Sequence, residues 1–198
     1  MAVYTKLSES DLNNFFSKYN LGKLLNYEEI KEGIENTNYF VQLEKGKFIL
    51  TVYEKRVEEK DLPFFIGLMK NLFNKSFPSP EPIINKNGNY ISEILKKKAA
   101  VVSFLNGVSK KSLTANDCFE VGLNSAKLHK ITKNLTGKRV NKLSVDSWGK
   151  IYNKVKNDCS KIDIDLPKVI EKNLNEIEKK WPKNIPAGVI LSLIHICR

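Results

Sequence analysis

Residues 33–56 read GIENTNYFVQLEKGKFILTVYEKR, and the rest of the chain is arranged around them. Two runs of strand-forming residues flank one short turn. In the first run, Tyr39, Val41 and Leu43 alternate with Phe40 and Gln42, the period-two pattern of a strand with one face in a core. In the second, Phe48–Tyr53 (FILTVY) is rich in branched and aromatic residues and reads as a largely buried strand. Lys45-Gly46 supplies the turn. A polar loop, Glu35-Asn36-Thr37-Asn38, stands at the front edge of the hairpin.

Upstream, Ser8 opens a helix, and Asp11 three positions later completes a short acidic variant of the capping box. Leu12, Phe15, Phe16 and Tyr19 form one apolar stripe at helical spacing, and Gly22 sits where a left-handed stop is expected. Leu24–Ile34 reads as a strand. Downstream, Asp61 is a candidate N-cap and Pro63 suits a first turn. Phe65, Leu68, Met69, Leu72 and Phe73 give that helix an apolar face, so it is expected to cover the sheet. The stiff connector Phe77-Pro78-Ser79-Pro80-Glu81-Pro82 follows. Ile83-Ile84 and Tyr90–Leu95 then bracket a turn at Asn87-Gly88, and a last strand, Ala99–Leu105, ends at Asn106-Gly107. The reading is a five-stranded antiparallel sheet plus helix.

Beyond Gly107 only helices are predicted. Thr114 caps one running to about Lys130, with Phe119, Leu123 and Ala126 on one side. Asp146 caps another that carries Trp148, Ile151, Tyr152 and Val155. A third covers Leu166–Trp181, with Ile170, Leu174, Ile177 and Trp181 as its stripe, and Pro182 ends it. Strands first and helices afterwards indicate an α+β fold in two lobes, residues 1–105 and 106–190, followed by a terminal stretch, 191–198.

Composition narrows the function. With 41% apolar and 28% charged residues the chain is an ordinary globular sequence. It lacks an apolar run of the roughly 18 residues that a membrane helix needs. The opening MAVYTKLSESDL has no apolar signal core, so a cytoplasmic setting and no membrane partner are expected. Cys118, Cys159 and Cys197 are widely spaced and form no CxxC pair, which argues against a disulfide framework or a zinc site. The net charge of +11 comes mostly from scattered lysines, with Lys96-Lys97-Lys98 as a run and few arginines. Base readout and bidentate phosphate clamps favour arginine, so nucleic acid is not expected as a partner.

The words GIENTNYFV, FILTVYEKRVEEKDLPFFIGLMKNL, PSPEPI, AAVVSFLNG and LNSAKLHKI stand in an order and spacing that resemble the homoserine kinases. These belong to the aminoglycoside-phosphotransferase-like, protein-kinase-like superfamily. The resemblance covers about residues 1–190 and implies ATP-dependent phosphorylation of the L-homoserine side-chain hydroxyl, a step toward threonine. ATP, L-homoserine and Mg²⁺ are the implied ligands of the intact enzyme.

The resemblance also assigns residues. Glu35–Asn38 resembles the turn that covers the phosphates, which makes Asn36, Thr37 and Asn38 candidate nucleotide contacts. Thr51 stands where protein kinases place a phosphate-pairing Lys. Lys55 and Arg56 are alternative cations, or simply a solvated strand end. Glu58, Glu59 and Asp61 lie about a turn ahead of the covering helix's usual acidic position, which leaves that role unassigned. Ser103-Phe104-Leu105 resembles the linker that contacts adenine. His129 reads as a structural residue packing under the second lobe.

The pattern breaks after Ile190. The family continues Pro186–Ile190 with a loop of the form His-x-Asp-x-x-x-x-Asn, whose Asp handles the hydroxyl proton and whose Asn holds Mg²⁺. Here LSLIHICR follows instead, and no Asp occurs after Asp165. His195-Ile196-Cys197 does not fit that loop, and the octapeptide resembles a translated sequencing adapter. A chimeric truncation without measurable kinase activity is therefore expected. Its helical stripes, such as Trp148/Tyr152 or Ile170/Leu174, would be left exposed. The alternatives are a natural short pseudokinase, a phosphotransferase for another hydroxyl substrate such as choline or an aminosugar, or a non-catalytic lysine-rich binding module. Oligomeric state is not legible in the sequence.

Overall fold

Ser8 and Asp11 start the first helix as their spacing predicts. In the computed structural model the Ser8 hydroxyl accepts the Asp11 N–H at 3.1 Å, and the Asp11 carboxylate accepts the Ser8 N–H at 2.9 Å. The structure describes residues 4–31, 35–54, 58–108, 110, 112–137 and 139–190. Gly33, Ile34, Lys55, Arg56, His195, Cys197 and the segment LSLIHICR lie outside the described residues.

Helix α1 spans Glu9–Phe16, and Gly22 turns the chain at φ +82°. Strands β1 (Leu24–Ile30), β2 (Thr37–Leu43) and β3 (Gly46–Val52) then form an antiparallel meander. A 3₁₀ turn at Glu59–Asp61 leads into α2 (Leu62–Asn74). Asp61 occupies the N-cap position, but its backbone is helical and its side chain makes no capping bond. Strands β4 (Pro82–Ile83), β5 (Ile91–Ile94) and β6 (Lys97–Ser103) complete the sheet.

That sheet has six strands, where five were expected. The order is β1-β2-β3-β6-β4, and β5 also pairs with β6. Pro82 and Ile83 lie opposite Val102 and Val101, whereas Ile91–Ile94 lie opposite Ala100–Lys97. Strands β4 and β5 therefore share one lane beside β6, so the sheet is five lanes wide. A two-residue strand cannot fill the length of β6, and β5 takes the remainder.

Strand β2 shows the predicted alternation, with Thr37, Tyr39, Val41 and Leu43 buried and the residues between them half-buried. The buried face joins Leu12, Phe15, Phe16 and Tyr19 of α1 to Phe48, Leu50, Val52, Ile94, Ala99 and Val101 in one cluster. Thus α1, rather than α2, fills the core of the sheet. α2 buries Leu62, Ile66 and Leu72 and runs beside β4 and α3 (Ala115–Thr132).

Thr114 and Asp117 form a second capping box at the start of α3. The expected stripe on this helix is not its buried side: Phe119 is 65% exposed, while Leu128 and Thr132 are buried. His129 is exposed, which corrects its reading as a residue packed under the lobe.

Two compact units divide the chain, with Met1–Gly137 in one and Lys138–Ala187 in the other. α3 falls in the first. The second is an antiparallel-type helix pair made of α4 (Val145–Ile162) and α5 (Leu166–Lys180). Ser144, not Asp146, takes the N-cap position of α4. Tyr152 is buried and donates its hydroxyl to the Pro167 carbonyl at 3.1 Å, and Trp148 meets Trp181 edge-on at 5.3 Å. Ile170 and Leu174 are half-buried. The stripes expected to be bare therefore cover one another in part. Among the described residues no helix is long and apolar enough to cross a membrane.

Candidate functional site

The face of the sheet opposite the core cluster carries the predicted contacts. Cross-strand register sets Asn38, Thr51 and Ala100 in one row and Phe40, Ile49 and Val102 in the next. Residues directly opposite in a ladder share a face, so these six form one surface. All are half-buried except Ala100, which is fully buried. Phe104, two residues past Val102, brings its ring edge-on to Phe40 at 5.3 Å and is 37% exposed. The result is an apolar floor with an aromatic pair at one end, suited to a flat ring.

The other end is polar. Thr51 donates its hydroxyl to Asn38 Oδ1 at 2.8 Å. Asn36 Oδ1 accepts the Glu54 N–H at 3.3 Å. Thr37 is placed differently. It has no exposure, and its hydroxyl accepts the N–H groups of Tyr4 and Thr5 while donating to Glu54. The structure therefore brings Asn38 and Thr51 into contact, places Asn36 beside them in the loop, and turns the Thr37 side chain into the opposite face.

Ser103-Phe104-Leu105 leave the sheet where β6 ends. Ser103 donates its N–H to the Glu81 carbonyl and accepts the Glu81 N–H on its hydroxyl, both at 2.9 Å. Phe104 donates its N–H to the Lys47 carbonyl at 3.1 Å. Leu105, 48% exposed, is the first residue past the strand whose N–H has no acceptor among the described residues. A polar ring edge that approaches along the Phe40–Phe104 side meets a donor there.

Charges flank this surface without entering it. On the same face, two residues before Ala100, Lys98 pairs with Glu93 at 3.2 Å and with Glu59 at 3.8 Å. Glu59, left without a role by sequence reasoning, thus has a cationic partner. Tyr53 is held near Lys98 by its N–H bond to the Lys98 carbonyl, and burial raises its phenol above the ordinary value. Among the described residues no group of three or more His, Cys, Asp or Glu is disposed to hold a metal ion. The described residues thus offer no carboxylate cluster to hold Mg²⁺ by themselves.

Sequence reasoning missed one feature. A half-buried carboxylate, Glu54, gathers Thr5, Thr37 and Lys97 around it. Its partners lie 49, 17 and 43 positions away, so no local pattern could have shown it. Burial pushes the Glu54 carboxyl up, but the bonds from Lys97, Thr5 and Thr37 together hold it below the ordinary value.

Comparison with known proteins places these observations in a lineage. The profile of the phosphotransferase enzyme family matches residues 26–195. Homoserine kinase of Beijerinckia indica subsp. indica is 41% identical over 190 residues, and that of Agrobacterium fabrum is 40% identical over the same length. Each alignment covers 96% of this chain and 59% of the relative, so the chain spans about three fifths of the curated relatives it matches. Among solved structures, spectinomycin phosphotransferase APH(9)-Ia, in complex with ADP and spectinomycin, superposes with a TM-score of 0.59 at 12% identity. That match covers 91% of this chain and 60% of the other. Amicoumacin kinase hAmiN, in complex with AMP-PNP, Ca²⁺ and Ami, gives 0.54 at 16% identity over 67% and 42% of the two chains. At these identities the solved structures bear on the fold alone.

Proposed function

This chain belongs to the phosphotransferase enzyme family, and on that premise we propose that it forms the nucleotide side of an ATP-dependent kinase acting on L-homoserine. The observation that carries the proposal is the 41% identity over 190 residues to a protein named homoserine kinase. The phosphotransferase fold alone would serve many hydroxyl acceptors, and identity of that extent favours this one.

In the proposed reaction the homoserine hydroxyl oxygen forms a bond to the terminal phosphorus of ATP. The bond from that phosphorus to the bridging oxygen breaks, ADP leaves, and the hydroxyl proton passes to a base. Such transfers are catalysed mainly by positioning and by compensating charge. The part proposed for this chain is positioning. Ile49, Ala100 and Val102 would seat the adenine, with Phe40 and Phe104 at its edge and the Leu105 N–H toward its polar rim. Asn36, Asn38 and Thr51 would face the phosphates. Thr37 would act from behind, as a support for that loop. A divalent cation would supply compensating charge in the whole protein, and no step above is assigned to it.

Two measurements test this, the first on the 198-residue chain. Titration with ATP, followed by calorimetry and by amide NMR shifts, is expected to show binding that perturbs Asn38, Thr51 and Leu105. No heat and no shift at millimolar ATP would refute the nucleotide reading. A coupled ADP-release assay with L-homoserine, choline and an aminosugar separates the acceptors once the full-length protein is in hand. Turnover of choline or aminosugar in preference to homoserine would refute the acceptor assignment.

A further inference from the structure

Glu54 lies two residues past the end of β3, on the face of the sheet away from the Phe40–Val102 row. Its side chain is only 9% exposed. A carboxylate is tolerated in such a place only if its charge is matched and its oxygens are satisfied. Here both conditions hold. Oε2 accepts Lys97 Nζ at 2.5 Å, and Oε1 accepts the hydroxyls of Thr5 at 2.6 Å and Thr37 at 2.8 Å. Lys97 Nζ donates to the Thr5 hydroxyl as well, at 2.6 Å. The main-chain N–H of Glu54 donates to Asn36 Oδ1. One residue thus binds the loop at two consecutive positions, Asn36 through its backbone and Thr37 through its carboxylate.

The delivery of Lys97 is itself constrained. Strands β5 and β6 are joined by Leu95-Lys96, and both residues lie in the left-handed region, at φ 47° and 62°. Side chains disfavour that region, which two-residue hairpin turns normally fill with Gly or Asn. This turn sets the Ile94–Lys97 pairing and puts the Lys97 side chain on the buried face beside Glu54. The Lys97 side chain keeps 38% exposure, so the turn sets a partly solvated ammonium against the carboxylate.

We infer that the Glu54–Lys97 pair is a positioning device for the Asn36–Asn38 loop, holding from behind the polar groups that the loop turns toward a nucleotide's phosphates. The inference rests on the nucleotide reading above for its ligand. The pair's hold on the loop is argued from its own hydrogen bonds and does not depend on that reading. Neither residue touches the nucleotide in this arrangement. Each acts through Asn36 and Thr37.

The test uses the full 198-residue chain and the variants Glu54→Gln, Lys97→Met, Lys97→Arg and Thr5→Val. Backbone ¹⁵N order parameters are read for Asn36–Asn38, and for Leu50 and Val101 as references in the sheet. Glu54→Gln and Lys97→Met are expected to lower the loop values below about 0.6 while the references stay near about 0.85. The same two variants should weaken ATP binding about tenfold, because binding must then also order the loop. Lys97→Arg keeps the charge and should retain both readouts. Thr5→Val removes one partner without stranding a charge, so it should loosen the loop even if the charge variants fail to fold. Unchanged loop order in Thr5→Val and in the folded charge variants would overturn the inference, as would a uniform loss of order that includes Leu50 and Val101. A loosened loop with unaltered ATP affinity would also overturn it. If the loop depends on the pair but ATP shifts no loop amide in the unsubstituted chain, the nucleotide reading falls and the pair's hold on the loop stands.

Discussion

Replacing Tyr39 with Phe removes a single oxygen from the centre of the molecule. Tyr39 has no exposure, and its hydroxyl serves two masters in the N-terminal segment: it accepts the Leu7 N–H at 3.0 Å and donates to the Thr5 carbonyl at 2.9 Å. The aromatic ring stays in place, so no cavity of consequence opens and the cavity cost of a truncation does not arise. What changes is that two buried main-chain groups lose their partner. A buried polar group stranded in this way costs about 1–3 kcal/mol, so the substitution should destabilise the first unit by about 2–4 kcal/mol. With a urea dependence of about 2 kcal/mol per molar, the midpoint should fall by about 1–2 M. Amide resonances of Leu50 and Val101 are the proper probes. Tryptophan fluorescence is not, because Trp148 and Trp181 both lie in Lys138–Ala187. A midpoint within about 0.25 M of the parent would refute the reasoning. It would mean that Thr5 and Leu7 regain water on losing the hydroxyl, and that the N-terminal segment is held by its threonines instead.

Three further outcomes are expected. Phe104→Ala removes the ring that faces Phe40, and ATP binding should weaken by about 1 kcal/mol, or roughly fivefold, with little change in the urea midpoint; an unaltered affinity in calorimetry would place the base elsewhere. Trp181→Ala should cost the second unit about 0.5–1.5 kcal/mol and shift Trp148 emission to longer wavelength, since the edge-on contact at 5.3 Å is lost; an unshifted spectrum would contradict the contact. Glu54 titrates lower in the folded chain than its ordinary 4.5, so its stabilisation is whole above that value and drains away as pH falls through the lowered one. Urea midpoints between pH 6 and pH 3 should therefore fall more steeply for the unsubstituted chain than for Glu54→Gln, and parallel curves would exclude this group as a source of acid sensitivity.

Much of the fold could be read because its signals are local. Capping boxes span three residues, so Ser8–Asp11 was legible as written, and Thr114 was legible as the cap of α3. Alternation along β2 told which face of Tyr39, Val41 and Leu43 would be buried before any partner was known. The cap at Asp146 failed because Ser144 competes two residues earlier, and both residue types serve as caps. The stripe on α3 failed for a different reason. Phe119, Leu123 and Ala126 are helically spaced, but helical spacing marks a face without stating what lies against it. α1 and α2 both carry such a face, and only the assembled core cluster shows that α1 supplies its residues.

The sequence by itself determined the order of strands and helices, the α+β class and the family. These follow from residue type, period-two and helical spacing, and short words, all of which act over a few neighbouring residues. Tertiary structure alone decided which cross-strand rows meet, so that Asn38 answers Thr51 and Phe40 answers Phe104. It also decided that Thr37 turns inward to a half-buried carboxylate, and that Lys97 arrives there from 43 residues away. The physical reason is that burial and charge compensation are properties of a place in space. Residues distant in the chain create that place together, and none of them carries a mark of it alone.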